Sequence, residues 1–276
     1  FGARIKRLFP SLIFVTVITV IFCSFISTWK PVGYVVSWDT WKYLLNGLLI
    51  RVRYLPGVFE GHADAVVNGS LWTLPVEFAC YVLCFIAYKL TFLQKKRFPI
   101  SIPLVIIGSA IAWRLGAIRP ALREIISPVL LFYIGIGYWV YREHITLQVK
   151  GFVISLIAFV LLFVLGLGPA AMLLAFPYMM MYLWFGMKQC SPKLGRLGDY
   201  SYGIYLWGFT VQQVVVHFWP DKTMPPMLNV VIAVPIAVVL GMLTYEIVEN
   251  GSKGIPVWVK NFKCPDVIYV ALIVAY

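Results

Sequence analysis

The stretch that decides the fold is NGSLWTLPVEFACYVLCFIAYKL, residues 68–90. From Leu71 it holds a helix's length of apolar and aromatic residues, with one carboxylate, Glu77, inside the run. Apolar runs of about 17–25 residues are long enough to cross the hydrocarbon core of a bilayer. A carboxylate placed there costs about 2.5–3.5 kcal/mol on insertion scales, so an ionisable residue inside such a run is read first as functional.

The whole chain repeats this character. Of its 276 residues, 61% are hydrophobic and only 12% charged, the balance of a protein dissolved in lipid. Eight spans are predicted, near 11–28, 71–89, 100–118, 125–141, 151–167, 170–187, 201–219 and 227–247, with a ninth starting near 267. The expected fold is all-α: a polytopic helical bundle integral to the membrane, with about eight complete spans and a truncated ninth. The loop 29–70, with WDTWKYLLNGLLI, is expected either to lie on the surface or to re-enter the bilayer. The formal net charge of +12 is spread over short loops, not gathered in one patch, which argues against a nucleic-acid surface. Roughly two-thirds of the 23 basic residues fall on the side of the N-terminus, placing that end in the cytoplasm by the positive-inside rule. The expected location is a cell membrane, with the bilayer itself as partner. The five cysteines lack metal-ligand spacing, and no metal site is expected. The chain opens on Phe1 and closes on the apolar DVIYVALIVAY, so it reads as a fragment.

Four local patterns carry chemistry. In RIKRLFPSL, residues 4–12, Arg4 and Arg7 share a helical face that Lys6 does not. Two guanidinium groups at a membrane edge suit a phosphate-bearing ligand, and equally anchor a span to lipid phosphates. Thr73, Glu77, Tyr81 and Tyr88, with Cys84, recur at helical spacing as a polar stripe. Taking Trp72 as an outer boundary anchor puts Glu77 one to two turns below that surface. A second stripe, Ser201, Tyr205, Gly208 and Gln212, lies in LGDYSYGIYLWGFTVQQVVVHFW, with Tyr205 toward the cytoplasmic end. The plainer reading of both stripes is helix packing. Glu246 and Glu249 close the eighth span, where a solvated pair is the simpler account. His62, His144 and His217 read as incidental.

Together these motifs resemble the membrane acyltransferase-3 family of bacterial sugar O-acyltransferases. RIKRLFPSL resembles its R-x-x-R-x-x-P element, NGSLWTLPVEF its N-x-S-L-W-S-L-x-x-E, and LGDYSYGIYLWG its S-Y-x-x-Y-L-x-H. LFYIGIGYWVYR fits its glycine-bearing middle span, and YEIVEN stands where the family has E-x-P. The chain departs at Gly208, in the histidine position, and at Glu249-Asn250-Gly251.

The resemblance implies transfer of an acyl group, acetyl above all, from cytoplasmic acetyl-CoA to a sugar hydroxyl on the other side of the membrane. Acyl-CoA and a carbohydrate acceptor are the implied partners, with no bound cofactor. Arg4 and Arg7 are assigned to the CoA phosphates, Glu77 and Tyr205 to catalysis, and Asn68, Trp72 and Ser201 to substrate binding. The two stripes are expected to face each other across a channel. Residues 1–250 form the acyltransferase domain lacking its first two helices and the histidine they carry, so the fragment alone is expected to be inactive. Residues 251–276 are a cytoplasmic linker and the start of an extra span. The competing class is a transporter or flippase of a glycan or lipid-linked sugar, with Glu77 as relay; it predicts paired interrupted helices, and no such repeat is visible. A non-enzymatic interaction protein leaves Glu77 without a purpose.

Overall fold

The computed structural model describes residues 2–186 and 200–250, and every regular element among them is helical. In chain order these are α1 (Gly2–Ile26), α2 (Pro31–Val36), α3 (Trp38–Lys42), α4 (Thr73–Lys89), α5 (Phe98–Leu115) and α6 (Ala121–Glu124). Then follow α7 (Ile126–Val140), α8 (Val149–Val164), α9 (Gly168–Ala170), α10 (Phe176–Met181), α11 (Ser201–His217) and α12 (Pro226–Thr244). Short 3-10 turns cover Tyr43–Leu48, Ser70–Trp72 and Pro220–Lys222, and π turns cover Ala171–Ala175, Tyr182–Gly186 and Tyr245–Asn250.

Among the described residues, six helical stretches are long and apolar enough to cross a membrane: Gly2–Ile26, Ser70–Lys89, Phe98–Leu115, Ala121–Val140, Gly168–Gly186 and Pro226–Val248. The expectation of eight spans is therefore met only in part. Val149–Val164 and Ser201–His217 are helices where spans were predicted, yet have only 16 and 17 residues. At 1.5 Å per residue they reach about 24–26 Å, short of a hydrocarbon core of about 30 Å. The predicted ninth span, Cys190, Cys264 and the side chain of Glu249 lie outside what the structure describes.

The chain divides into two compact units. In described residues, one comprises 2–75 with 200–250, and the other 76–186.

In the first unit, α1 buries Ser11, Leu12, Thr16, Thr19 and Cys23 on one face while Ile13, Val17, Ile21 and Phe25 stay exposed. The buried face thus carries the helix's hydroxyls Ser11, Thr16 and Thr19 among its apolar residues, a mixture suited to packing helices where lipid removes the hydrophobic drive between them. α11 and α12 pack as an antiparallel pair, Trp207 Nε1 donating to Thr244 Oγ1 at 2.9 Å. Their closest approach is at Gly203 and Gly241. A Cβ on Gly203 would stand 2.7 Å from the Gly241 carbonyl oxygen, and one on Gly241 2.7 Å from the Ile204 nitrogen.

The 29–70 loop of this unit runs back along α1. Tyr34 donates its hydroxyl to Val20 O at 3.0 Å, and Gly47 packs against Ile13, roughly 20 Å along α1 from its end at Ile26. The chain then returns, Gly57 O accepting from Thr28 N at 2.9 Å. The loop thus packs back along α1 instead of standing off its end. Buried Asn46 holds the turn, donating to Tyr43 O and Val52 O at 2.9 Å each and accepting from Val52 N at 3.0 Å.

In the second unit, α5 packs on α7, and α8 on α10 and the π turn Ala171–Ala175. That π turn stands just before Pro177, whose missing N–H breaks the α-helical ladder.

The glycine contact gives a direct test. Gly203→Val should lower the thermal midpoint of the purified protein by the equivalent of about 1–3 kcal/mol, the cost of overpacking a tight contact. Gly208→Ala, where an added Cβ meets nothing within 4 Å, should leave it unchanged.

Candidate functional site

α1 and α11 begin at the same end of the first unit. Tyr202 donates its hydroxyl to Leu8 O at 3.0 Å, one residue beyond Arg7. Arg4 and Arg7 are half-buried while Lys6 is exposed, so the two arginines share the face their spacing predicted. The π turn Tyr245–Asn250, with Glu246, packs on α1 at this end, and Tyr200 meets Tyr245 edge to face at 5.0 Å. Arg4, Arg7, Ser201 and Tyr202 thus mark one pole of the unit, the arginine end.

From the opposite pole, residues 62–73 run antiparallel down α11, fastened at every turn. Gln213 Nε2 donates to Asp64 O and Val66 O at 2.7 Å each. Thr210 Oγ1 donates to Val67 O at 3.3 Å, and Asn68 Nδ2 to Leu206 O at 2.8 Å. Asn68 Oδ1 accepts from the Ser70 hydroxyl and amide at 2.6 and 3.1 Å, starting the turn at Ser70–Trp72. Tyr205 donates its hydroxyl to Ser70 O and meets Thr73 Oγ1 at hydrogen-bonding contact. Gly69 makes this possible, since a Cβ there would stand 2.7 Å from the Phe209 ring.

Thr73 and Tyr205, one from each predicted stripe, therefore touch. Tyr205 lies one turn from Ser201 at the arginine end and about 18 Å along the helix from His217. That geometry overturns Trp72 as an outer boundary anchor: it follows Ser70 at the level of Tyr205. The depth assigned to Glu77 from that anchor falls with it.

In the second unit Tyr81 donates its hydroxyl to the Glu77 carboxylate and packs edge to face on Phe132 at 6.0 Å. Such a charge-assisted bond contributes about 1.5–3 kcal/mol, comparable with the insertion cost of the carboxylate. Tyr81 and Cys84 of the stripe are buried, and Tyr88 is exposed, so the stripe ends before it.

Ser70, Thr210 and Gln213 were not singled out from the sequence. The face of α11 that meets the 62–73 segment runs through Tyr205, Thr210 and Gln213, not through Gly208 and Gln212. The visible signal was Gln213 beside Gln212, two amides in an apolar helix, but only the fold decides which one turns inward. His62 and His217, read as incidental, are in ring contact at 5.7 Å.

With the site described, sequence comparison identifies its class. The acyltransferase-3 family, whose profile is described as "Acyltransferase domain", matches residues 1–246. The chain belongs to this family and is an acyltransferase for groups other than aminoacyl groups. It is 26% identical over 258 residues to the "O-acetyl transferase" of Shigella phage Sf6, covering 90% of this chain and 74% of that protein. No solved structure matches it.

Asn68→Ala would remove the acceptor of the Ser70 hydroxyl and amide together with a second donor to Leu206 O, and should cost about 1–3 kcal/mol of stability in thermal melts. Asn68→Asp, which keeps the oxygen but loses the donor, should recover only part of it.

Proposed function

We propose that this protein transfers an acetyl group from cytoplasmic acetyl-CoA to a hydroxyl of an exported or cell-surface sugar, residues 1–250 forming the catalytic domain. The observation that carries the proposal is the polar cluster of the first unit: half-buried Tyr205, Ser70 and Thr73 are in hydrogen-bond contact, and exposed Ser201 lies one turn along α11 toward the pole of Arg4 and Arg7. Guanidinium groups bind phosphate oxygens bidentately, so the arginines hold the CoA phosphates at the cytoplasmic face. The thioester then enters along Ser201 and Tyr205. The name of the phage relative favours acetyl as the group carried.

The chemistry asked of the chain is acyl transfer. The acceptor hydroxyl gives its proton to a base while its oxygen bonds to the thioester carbonyl carbon. The carbon–sulfur bond then breaks, and CoA leaves as the thiol after taking a proton. Glu77 is the candidate base, held in place by Tyr81. The Tyr205 hydroxyl, in contact with Thr73, orients the reacting carbonyl. Asn68 holds the segment bearing Ser70 and Thr73 against α11, and Trp72 and Ser201 border the substrate path.

Full-length protein in proteoliposomes, given labelled acetyl-CoA and envelope glycan from the source strain, should place label in the glycan. Glu77→Gln should reduce the rate at least 100-fold, and Tyr81→Phe about tenfold. Arg4→Gln with Arg7→Gln should raise the KM for acetyl-CoA at least tenfold with little change in kcat. Glycan crossing the bilayer without acetyl-CoA would replace this reading with a translocator.

A further inference from the structure

The far pole of the 62–73 segment carries a feature that acyl transfer does not use. Among the described residues, three side-chain heteroatoms are buried with no hydrogen-bond partner: His62 Nε2, His217 Nδ1 and Asn229 Oδ1. Two of the three belong to one ring contact, with centroids 5.7 Å apart and planes inclined by 29°. Phe59 and Phe218 flank it, at 5.0 Å from the His62 ring and 5.2 Å from that of His217.

The protonation of His62 follows from its neighbour. Gln213 spends both amide hydrogens on Asp64 O and Val66 O, so its Oε1 faces His62 Nδ1, at 3.2 Å, as an acceptor. His62 Nδ1 must therefore carry the hydrogen, and Nε2 of the neutral ring is a bare lone pair. A buried polar atom left in this condition calls for an explanation. Both nitrogens are shielded from bulk solvent at the ring contact.

We infer that His62 and His217 bind a divalent d-block cation of the zinc class. Imidazole is the commonest protein ligand for such ions. Metal–nitrogen bonds of about 2.0–2.1 Å, meeting at tetrahedral to trigonal angles, set two imidazole centroids about 5–6 Å apart, and the observed spacing lies in that range. A histidine ligand characteristically donates its other ring N–H to a fixed oxygen, which is what Gln213 supplies. No three metal-ligating groups converge among the described residues. The site thus has two protein nitrogens, with the further positions filled by water. Lys222, the cation near this pair, is tethered to Glu60 O at 3.0 Å. The ion clasps the start of the 62–73 segment to the end of α11.

The inference stands apart from the acyl-transfer reading and is tested by binding. Chelator-treated full-length protein in detergent is titrated with Zn²⁺ by calorimetry and with Co²⁺ by visible absorption. One equivalent should bind and raise the thermal midpoint. His62→Ala and His217→Ala should each weaken binding at least tenfold, Gln213→Leu about tenfold through loss of the fixed tautomer, and His144→Ala should leave it unchanged. Where an alanine variant fails to fold, His62→Gln and His217→Gln serve in its place. Absence of saturable Zn²⁺ binding to the wild-type protein, or binding retained when both histidines are replaced, overturns the assignment.

Discussion

Irregular backbone alongside membrane-crossing helices must find hydrogen-bond partners within the protein, because hydrocarbon offers none. The first unit depends on meeting that demand. Its 29–70 loop runs back along α1 as far as Ile13, and residues 62–73 then run down α11. Along that path Gln213, Thr210 and Tyr205 serve the carbonyls of Asp64, Val66, Val67 and Ser70, while Asn46 serves those of Tyr43 and Val52. Asn68 works in the other direction, adding a second donor to a helical carbonyl already engaged in α11.

The same bonds position the candidate site. A segment held in this way delivers Ser70 and Thr73 to Tyr205, one helical turn from the arginine end. Polar groups that satisfy the backbone and polar groups available to a substrate are therefore neighbours on one face of α11. Close approach at Gly203 and Gly241 fixes which way that face turns, because backbone packs directly on backbone there and neither helix can rotate without a clash.

Much of this was legible in advance. Long apolar runs announced helices, and the three-residue spacing of Arg4 and Arg7 correctly separated them from Lys6. The four-residue step from Glu77 to Tyr81 put the two on one helical face, but the hydrogen bond between them was not read from it. Depth was not legible. Trp72 looks like a boundary tryptophan when hydropathy alone is read, yet the returning loop carries it to the level of Tyr205. Nor was the choice between Gln212 and Gln213, adjacent in sequence and on different faces of the helix. His62 and His217 are 155 positions apart, and nothing local to either one announces the other.

The sequence by itself determined the solvent of this protein, its helical character and its family, since composition, hydrophobic run length and short motifs are local properties of a chain. Tertiary structure alone decided which polar residues meet. In lipid an unsatisfied donor or acceptor costs several kcal/mol, so each one seeks a partner wherever the fold brings one. Those partners lie up to 194 residues away, as from Leu8 to Tyr202. Their pairing is settled by how the returning loop, α1 and α11 pack, and by no pattern within any one of them.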